Sequence, residues 1–527
     1  MYRELSNVDK KGIDLNLIFC KLIKNHKYEV IMSIFTFLLF FVIHLRVSID
    51  QMHVADMFRY FQDNTFAQKD GRFVRGFLNV VLTNIDYNYV SYYLYFIISL
   101  VFISISFVIL LKFLDIEKKI LWSFIIILLS STYECFSSIF WFIYDSPFYF
   151  MAFLLSNISL MCIKNHYDKT INIIQFIILN VISLLLYQSF YIYVSAMLII
   201  HLIKCDLVDD VENRLVLKKT LYYMLILFVT FLIYFAISEC CYSLIPDGAY
   251  IWGKGLPFNH FSIYKVIGCY AKYFGLFLVT YRNINHTVII KIIYFIITIT
   301  IVCIVLYNLY VKKKYISFIL LMVLPINVSI ISFFAYIKPS MMFANLSLYF
   351  LWIILLNNYF DNMENNNFNR VFIIISLLST VLMFSHNLYK TVGSYEYYLD
   401  IEKKNINFIT RLATKIEMCE GYNVDSYIYI NVDGEHEPCL QNKIDYNIID
   451  YFDNAMAGNI LQEIDWPYGG LIHSMLSHFA GIKMKLPNSE MIENLKNTEE
   501  YRNMGIYPNS NSIKCINEVV VVKLYDN

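Results

Sequence analysis

The chain has 527 residues, of which 58% are hydrophobic and only 16% are charged, and its formal net charge is zero. Soluble domains are about 45–50% apolar and about 25% charged, so this composition excludes an ordinary soluble protein. A zero net charge also gives no basic field that would indicate binding to nucleic acid. Apolar runs of about 20 residues, the length of a membrane-spanning helix, recur along the chain. They predict an α-helical multi-pass membrane protein.

The predicted elements begin with a short polar segment, followed by a long membrane domain. Residues 1–26 lack an apolar core followed by a small-residue cleavage site, so we expect a cytoplasmic segment and no removable signal. Residues 27–390 are predicted to form a polytopic domain with long outer loops at 46–89 and 239–287. We expect about eleven spans in it, near residues 28–45, 90–111, 120–140, 147–163, 171–186, 191–203, 221–238, 288–311, 316–336, 342–356 and 371–388.

Positive charge in the short loops predicts the orientation of these spans. Lysine and arginine are retained on the cytoplasmic side of a membrane, and here they occupy alternate short loops. The residues concerned are Lys112, Lys118, Lys119, Lys164, Lys169, Lys204, Lys312, Lys313, Lys314 and Arg370. All of them fall on the cytoplasmic face if the N-terminus is cytoplasmic. An odd number of spans then leaves the C-terminal tail outside.

The tail, residues 391–527, is less apolar and is predicted to form a small extracytoplasmic α/β domain. A helical pattern covers residues 395–418, strand patterns cover 426–432 and 518–524, and another helix is expected near 471–480. The tail also contains Cys419, Cys439 and Cys515. If it faces an oxidising compartment, two of these three cysteines can pair. The sequence leaves open which two.

The first outer loop contains the most informative charges. Asp56 and Arg59 are three residues apart and would share a face of a helix, as would Arg72 and Arg75. One interpretation is an ordinary solvated loop. The other is a carboxylate that acts as an acid or base, beside guanidiniums that hold a phosphate in bidentate fashion.

Other polar residues of the outer face are further candidates. Asp145, in the sequence Tyr-Asp-Ser-Pro, either caps the next helix or provides a second carboxylate to the same cavity. Tyr187 and Gln188 are either a polar turn at the interface or hydrogen-bonding partners of a sugar or phosphate. Arg282, which closes the second long loop, contacts either a substrate or the lipid headgroups. Trp141, in the short outer loop before Asp145, either stacks on a sugar ring or anchors the protein at the membrane interface.

Established catalytic and metal-binding motifs are absent from the sequence. No Walker A loop, GxGxxG, HExxH or nucleophile motif occurs. The acidic cluster of Asp433, Glu435, His436 and Glu437 follows a predicted strand and is interpreted as a polar turn. We therefore predict no metal site.

Several of these motifs, in this order, resemble the GT-C glycosyltransferases. In particular they are similar to the glucosyl transferase II family, the glucosyltransferases that modify O-antigen and convert serotype. The likeness covers roughly residues 1–200. The motifs that resemble the family are Asp56-Met-Phe-Arg59, Gly71-Arg72, Tyr144-Asp145-Ser146-Pro147 and Tyr187-Gln188. The family pattern usually begins with two adjacent acidic residues, whereas this chain has Ala55 before Asp56.

The resemblance implies a GT-C-like fold and a specific reaction. The donor would be a polyprenyl-phosphate hexose, most often glucose, and the acceptor a lipid-linked polysaccharide such as O-antigen. The reaction would take place on the outer face of a bacterial inner membrane. Asp56 matches the catalytic acidic position, while Arg59 and Arg72 match the positions that neutralise the departing phosphate. Displacement by a single attack would invert the anomeric centre.

The resemblance also implies partners, and it leaves one cofactor open. Membrane lipid, a glycosyltransferase that synthesises the donor and a flippase for that donor are the expected partners, and no nucleic acid is expected. Because Ala55 removes one of the two adjacent carboxylates, a metal-bridged scheme has less support. A divalent metal nevertheless stays open as a cofactor.

Two alternative functions fit the composition. An O-antigen polymerase or ligase is also multi-pass, but its charged site would be expected in a later outer loop with several arginines. A polysaccharide flippase or transporter would require charged residues, or breaks at glycine or proline, within the spans. The predicted spans are nearly free of both, which favours the transferase.

Overall fold

The structure of the protein is a computed structural model that is mainly helical. It describes residues 26–49, 72–83, 92–116, 119–143, 145–164, 169–207, 211–243, 306, 309–310, 313–329, 343–361, 367–431, 470–482 and 485–524. The helices are α1 (Lys27–Ile49), α2 (Phe73–Thr83), α3 (Tyr92–Phe113), α4 (Ile120–Ser131), α5 (Glu134–Trp141), α6 (Ser146–Lys164), α7 (Thr170–Leu186), α8 (Phe190–Leu207), α9 (Asn213–Tyr242), α10 (Tyr315–Ser329), α11 (Leu346–Asp361), α12 (Asn367–Glu417), α13 (Gly470–Ala480), α14 (Ser489–Lys496) and α15 (Glu499–Arg502). The strands are β1 (Tyr427–Asn431), β2 (Ile513–Ile516) and β3 (Val519–Lys523).

Several helices are long and apolar enough to cross a membrane. In the described part of the chain these are the five helices α1, α3, α6, α8 and α9, and the bent pair of α4 and α5 makes a sixth if it is one span. Helices α7, α10 and α11 are apolar but shorter. The chain is therefore a membrane protein, whereas the prediction of about eleven spans is not confirmed. The predicted span at 288–311 lies mostly outside the described residues.

The predicted span at residues 120–140 is divided into two helices. Helices α4 and α5 are bent by 49° relative to each other. The break follows a run of hydroxyl residues, in which Ser131 and Thr132 donate hydrogen bonds back to the carbonyl of Leu128 at 2.8 and 3.4 Å. Hydroxyl groups that bond to the preceding turn in this way bend helices. Average hydropathy does not show the break, because the residues on both sides are apolar.

Two other helices bind the backbone carbonyls at this break. His44 of α1 lies with its Nε2 2.9 Å from the carbonyl of Ser131, and Thr391 of α12 donates to the carbonyl of Thr132 at 3.4 Å. Because a carbonyl only accepts, Nε2 of His44 bears the proton, and Nδ1 accepts from the hydroxyl of Tyr395 at 2.5 Å. An unsatisfied carbonyl is costly inside a membrane, so these contacts stabilise the bend.

Small polar side chains hold α6 against its neighbours. Ser146 in the first turn of α6 shares a 2.7 Å hydrogen bond with Ser99 of α3, and Asn180 of α7 donates to Ser159 of α6 at 2.9 Å. Close packing of small residues and bonds of this kind drive the association of helices in lipid. Helix α6 therefore packs between α3 and α7, with its first turn fixed by α3.

The lysine-bearing ends of several helices meet at one end of the bundle. Asp115, which follows α3, forms short ion pairs with Lys164 of α6 and Lys204 of α8. Burial raises the pKa of Asp115, but the hydrogen bonds from these lysines outweigh it, so the pKa of this carboxyl lies below its usual range. Nearby, Lys314 pairs with the buried Asp206 at 3.1 Å. That this end faces the cytoplasm stays a prediction.

Helix α12 connects the membrane bundle to the tail without interruption. It has 51 residues and therefore a length of about 77 Å at about 1.5 Å per residue. Its residues up to Leu399 pack in the core of the bundle, and those from Phe408 pack in the core of the tail. The division placed between residues 390 and 391 thus falls inside one helix. Whether the tail is a separate domain stays a prediction.

The described part of the tail contains a three-stranded sheet with the order β1-β3-β2. Strand β3 pairs in parallel with β1 and antiparallel with β2. Its residues Val520 and Val522 face a core formed with α12 and α13, whereas Val519 and Val521 face a core formed with α14 and α15. Apolar residues on both faces are typical of a strand that is covered on both sides, which explains the uninterrupted run of valines.

Candidate functional site

A group of charged and aromatic side chains lies at the opposite end of the bundle from the ion pairs of Asp115 with Lys164 and Lys204. Three parts of the chain meet there: the start of α2, the start of α6 and the turn between α7 and α8. Helix α2, which lies inside the predicted outer loop 46–89, packs against α7. We call the four side chains at this junction, Arg72, Arg75, Asp145 and Tyr149, the arginine cluster.

A buried ion pair forms the base of the arginine cluster. Nη2 of Arg75 lies 2.5 Å from Oδ1 of Asp145, and the two side chains are 0% and 6% exposed. The carbonyl of Asp145 also accepts hydrogen bonds from the amides of Phe148 and Tyr149, at 3.0 and 3.1 Å. Asp145 therefore starts α6 with its backbone and holds Arg75 with its side chain. Whether the side chain of Asp145 also meets a substrate stays a prediction.

Tyr149 connects the two arginines. Its hydroxyl oxygen accepts a hydrogen bond from Nη1 of Arg72 at 3.0 Å and from Nη1 of Arg75 at 3.2 Å. Bringing two guanidiniums to one oxygen costs electrostatic repulsion, which the carboxylate of Asp145 offsets. The arrangement fixes the positions of two cations in a low-dielectric surrounding, where they interact strongly with an anion.

Tyr187 holds the guanidinium of Arg72 from another side. The guanidinium carbon of Arg72 lies 5.3 Å from the ring centre of Tyr187 and 5.6 Å from that of Tyr149. The two tyrosine rings are themselves 4.4 Å apart. A guanidinium stacks on aromatic faces and still presents its N–H groups at the edge. Arg72 is only partly buried, so its planar side chain is pre-oriented at the border of the buried cluster.

The C-terminal half of α9 completes this region. Tyr234 of α9 forms a hydrogen bond with Gln188 and lies within electrostatic range of Arg72. Further along the helix, the ring of Tyr242 meets that of Phe73 edge to face at 4.9 Å. Helix α9 therefore places the neutral hydroxyl of Tyr234 within electrostatic range of the guanidinium of Arg72.

The structure brings together four of the residues predicted from the sequence. Arg72, Asp145 and Tyr187 belong to one group of contacting side chains. Gln188 follows Tyr187 in the sequence and is hydrogen-bonded to Tyr234. The other three predicted residues, Asp56, Arg59 and Arg282, lie outside the described residues. Whether any of the seven binds a substrate stays a prediction.

Arg75 was predicted only to share a helix face with Arg72 and was given no role of its own, and Tyr149 was not predicted. Each had a usable signal, because Arg75 follows Arg72 by three residues on a helix and Tyr149 follows Asp145 by four. No local pattern indicates that α2 and α6 meet, because the contact joins residues 74 positions apart in the sequence.

Trp141 differs from its sequence-based interpretation. It was expected to stack on a sugar ring or to anchor the protein at the membrane interface. In the structure it is fully buried, with its ring 5.6 Å from that of Tyr395. Trp141 is therefore part of the core of the bundle. Among the described residues, no group of three or more His, Cys, Asp or Glu side chains is arranged to hold a metal ion.

Fold and site define a membrane protein with a fixed, positively charged cluster at one end of its helical bundle. The family of glucosyl transferase GtrII matches residues 39–337, more than half of the chain. The chain therefore belongs to this glucosyl transferase family, as the order of the short motifs predicted, and it is a glycosyltransferase. A comparison with curated proteins found no match, and a comparison with solved structures found none either.

Proposed function

We propose that the protein transfers a hexose, specifically glucose, from a polyprenyl-phosphate donor to a lipid-linked polysaccharide such as O-antigen. The reaction takes place on the outer face of the bacterial inner membrane. The observation that supports this proposal best is the convergence of Arg72 and Arg75 on the hydroxyl of Tyr149. A fixed pair of guanidiniums at the end of a membrane bundle suits a lipid-linked phosphate, whose prenyl chain must stay in the bilayer.

Arg72 is the residue that contacts the donor phosphate. It is partly exposed, and its guanidinium is oriented by two aromatic rings and one hydroxyl. In the transition state the glycosidic bond to the phosphate breaks and negative charge grows on the departing oxygen. A guanidinium held in advance stabilises that charge without having to reorganise. Tyr234, within electrostatic range of Arg72, and Gln188, which is hydrogen-bonded to Tyr234, provide neutral hydrogen-bonding partners for sugar hydroxyls.

Arg75, Asp145 and Tyr149 position Arg72. Arg75 is fully buried and paired with Asp145, so neither side chain is open to a substrate. Their role is to keep the Tyr149 hydroxyl in the place where it holds Arg72. We therefore assign Asp145 the role of a positioning residue and not that of a substrate contact.

Asp56 is the general base of the proposed reaction. It would accept the proton from the acceptor hydroxyl as this attacks the anomeric carbon, which inverts the configuration. Arg59 would assist Arg72 in binding the phosphate. These two assignments rest on the resemblance of the Asp-x-x-Arg motif to the family pattern. With Ala55 in place of an adjacent carboxylate, Asp56 acts as a single base.

The reaction requires other proteins on both sides of the membrane. A separate glycosyltransferase must attach glucose to polyprenyl phosphate, and a flippase must bring this donor to the outer leaflet. The acceptor approaches from the outer side, where the tail is predicted to lie. The tail is then the part of the chain best placed to select the polysaccharide.

A transfer assay with defined substrates tests the proposal. Vesicles containing the full chain are given polyprenyl-phosphate glucose and lipid-linked O-antigen, and labelled product is measured. Arg72→Ala removes charge-assisted bonds worth about 1.5–3 kcal/mol, so the KM for the donor should rise about ten- to a hundredfold. Asp56→Asn should lower kcat about a hundred- to ten-thousandfold. Arg214→Ala, at the exposed start of α9 at the other end of the bundle, is the matched control.

The outcomes separate this reaction from its alternatives. Arg72→Ala and Arg214→Ala variants with equal KM for the donor would disprove the phosphate contact. Movement of the lipid-linked sugar across the vesicle membrane without any covalent transfer would indicate a flippase. Elongation of the polysaccharide by whole repeat units would indicate a polymerase.

A further inference from the structure

Two cysteines of the tail lie close together although they are far apart in the sequence. Cys419 is in the turn that follows α12, and Cys515 is on strand β2, about 95 residues later. Both side chains are partly exposed and both are thiols in the structure. The turn is closed by a hydrogen bond of 3.0 Å from the amide of Tyr422 to the carbonyl of Cys419.

Each of the two cysteine side chains contacts the backbone of the segment that holds the other cysteine. The thiol of Cys515 points to the carbonyl of Gly421 at 3.7 Å, while the sulfur of Cys419 interacts with the backbone of Cys515. A Cβ atom added to Gly421 would lie 3.3 Å from both Cβ and Sγ of Cys515. Gly421 also has a φ of +91°, which favours glycine. The close approach of β2 to this turn thus depends on a glycine.

The direction of the pKa shift of Cys419 is consistent with this proximity. Burial raises the pKa of the Cys419 thiol, and the neighbouring Cys515 raises it further, because two thiolates at close range repel each other. A covalent bond between the sulfurs would remove that repulsion. Cys439, the third cysteine of the tail, lies outside the described residues.

We infer that Cys419 and Cys515 form a disulfide in the mature protein. The two thiols lose two electrons and two protons as the S–S bond forms. The electrons pass by thiol–disulfide exchange to the disulfide of an oxidoreductase in the oxidising compartment, which is thereby reduced to a dithiol. The inference rests on the outward-facing tail of the proposed function, but it is independent of sugar transfer.

The bond would join the edge of the sheet to the end of the membrane helix. Among the described strands, β2 lies at the edge of the sheet and pairs with β3. A link from Cys515 to Cys419 ties this edge to the turn that directly follows α12. The link also encloses all residues between the two cysteines in one covalent loop, which restricts the unfolded chain.

Peptide mapping of the full-length protein tests the inference. Cells expressing the chain are quenched in acid, free thiols are blocked with N-ethylmaleimide, and proteolytic peptides are analysed by mass spectrometry without reduction. We expect a linked peptide pair containing Cys419 and Cys515 in the wild type and in Cys439→Ser. Cys419→Ser and Cys515→Ser should abolish this pair, and each should make the other cysteine reactive with a membrane-impermeant maleimide.

Three results would overturn the inference. They are free, maleimide-modified Cys419 and Cys515 in the wild type, a link from Cys439 to either of them, and loss of the linked pair in Cys439→Ser. The wild-type map does not depend on the folding of any variant. A linked pair in a protein without transfer activity would refute the proposed function and leave the disulfide standing. Transfer activity with free thiols would do the reverse.

Discussion

The buried ion pair between Arg75 and Asp145 gives the sharpest test of the site. Asp145→Asn keeps the shape of the side chain and removes its charge, which leaves the guanidinium of Arg75 buried without its counter-charge. Because the two side chains are 0% and 6% exposed and 2.5 Å apart, water screens the pair very little. Breaking a buried pair by removing one partner costs about 3–5 kcal/mol. We therefore expect Asp145→Asn to lower the free energy of unfolding by that amount.

The matched double variant separates charge from packing. Arg75→Met combined with Asp145→Leu removes both charges and fills similar volume, and exchanges of this kind are neutral or stabilising by about 1–4 kcal/mol. The double variant should thus be at least as stable as the wild type, although Arg75→Met alone and Asp145→Asn alone are not. It should still raise the KM for the donor, because Tyr149 loses one of its two guanidinium partners.

Reversible unfolding in mixed detergent micelles measures the stability, and the transfer assay measures KM on the same preparations. A cost of less than about 1 kcal/mol for Asp145→Asn would refute a stabilising buried pair, as would costs of the single changes that simply add in the double variant. A second contradicting result would be a stable double variant that binds the donor as well as the wild type does. In that case the pair would have no part in positioning Arg72.

Two further predictions concern the rest of the bundle. His44→Phe should reduce both stability and kcat, because the carbonyl of Ser131 loses its donor. His44→Gln keeps an N–H donor and should restore most of the loss. A Gln variant as defective as the Phe variant in the unfolding and transfer assays would contradict this. At the other end, the lowered pKa of Asp115 means that its ion pairs contribute stability above the ordinary carboxyl pKa of about 4 and lose it as pH falls through the folded-state pKa. The difference in unfolding temperature between wild type and Asp115→Asn should thus be constant near neutral pH and shrink in acid, and a difference that persists at low pH would rule out the titration.

The membrane class and the family could be predicted from the sequence because both depend on local patterns. Apolar runs of span length reflect the bilayer directly, and the order of short motifs survives without knowledge of contacts. Loop lysines predicted which helix ends share a face, and Asp115 indeed meets Lys164 and Lys204. The number of spans was less accessible, because α7, α10 and α11 are shorter than a full span and the chain bends between α4 and α5.

The contacts of the arginine cluster could not be predicted from local patterns. Arg75 and Asp145 belong to different helices, and a carboxylate beside a proline has the same signature whether it caps a helix, pairs with an arginine or meets a substrate. Burial decides between these roles, and burial at Asp145 depends on how α2 packs. Trp141 was misinterpreted for the same reason, because its position in the sequence next to a turn does not show that α12 covers it.

The uninterrupted course of α12 fixes a rotational relation between the bundle and the tail. Between Leu399, the last of its residues in the bundle core, and Phe408, the first in the tail core, the helix contains a polar neck with an ion pair from Lys404 to Asp400. Each residue of an α-helix turns the chain by about 100°. The number of residues in this neck therefore sets the direction in which the sheet faces around the helix axis. Evolution can lengthen or shorten the neck by seven residues with a change of only about 20°, whereas a change of two residues would turn the sheet to the opposite side of the molecule.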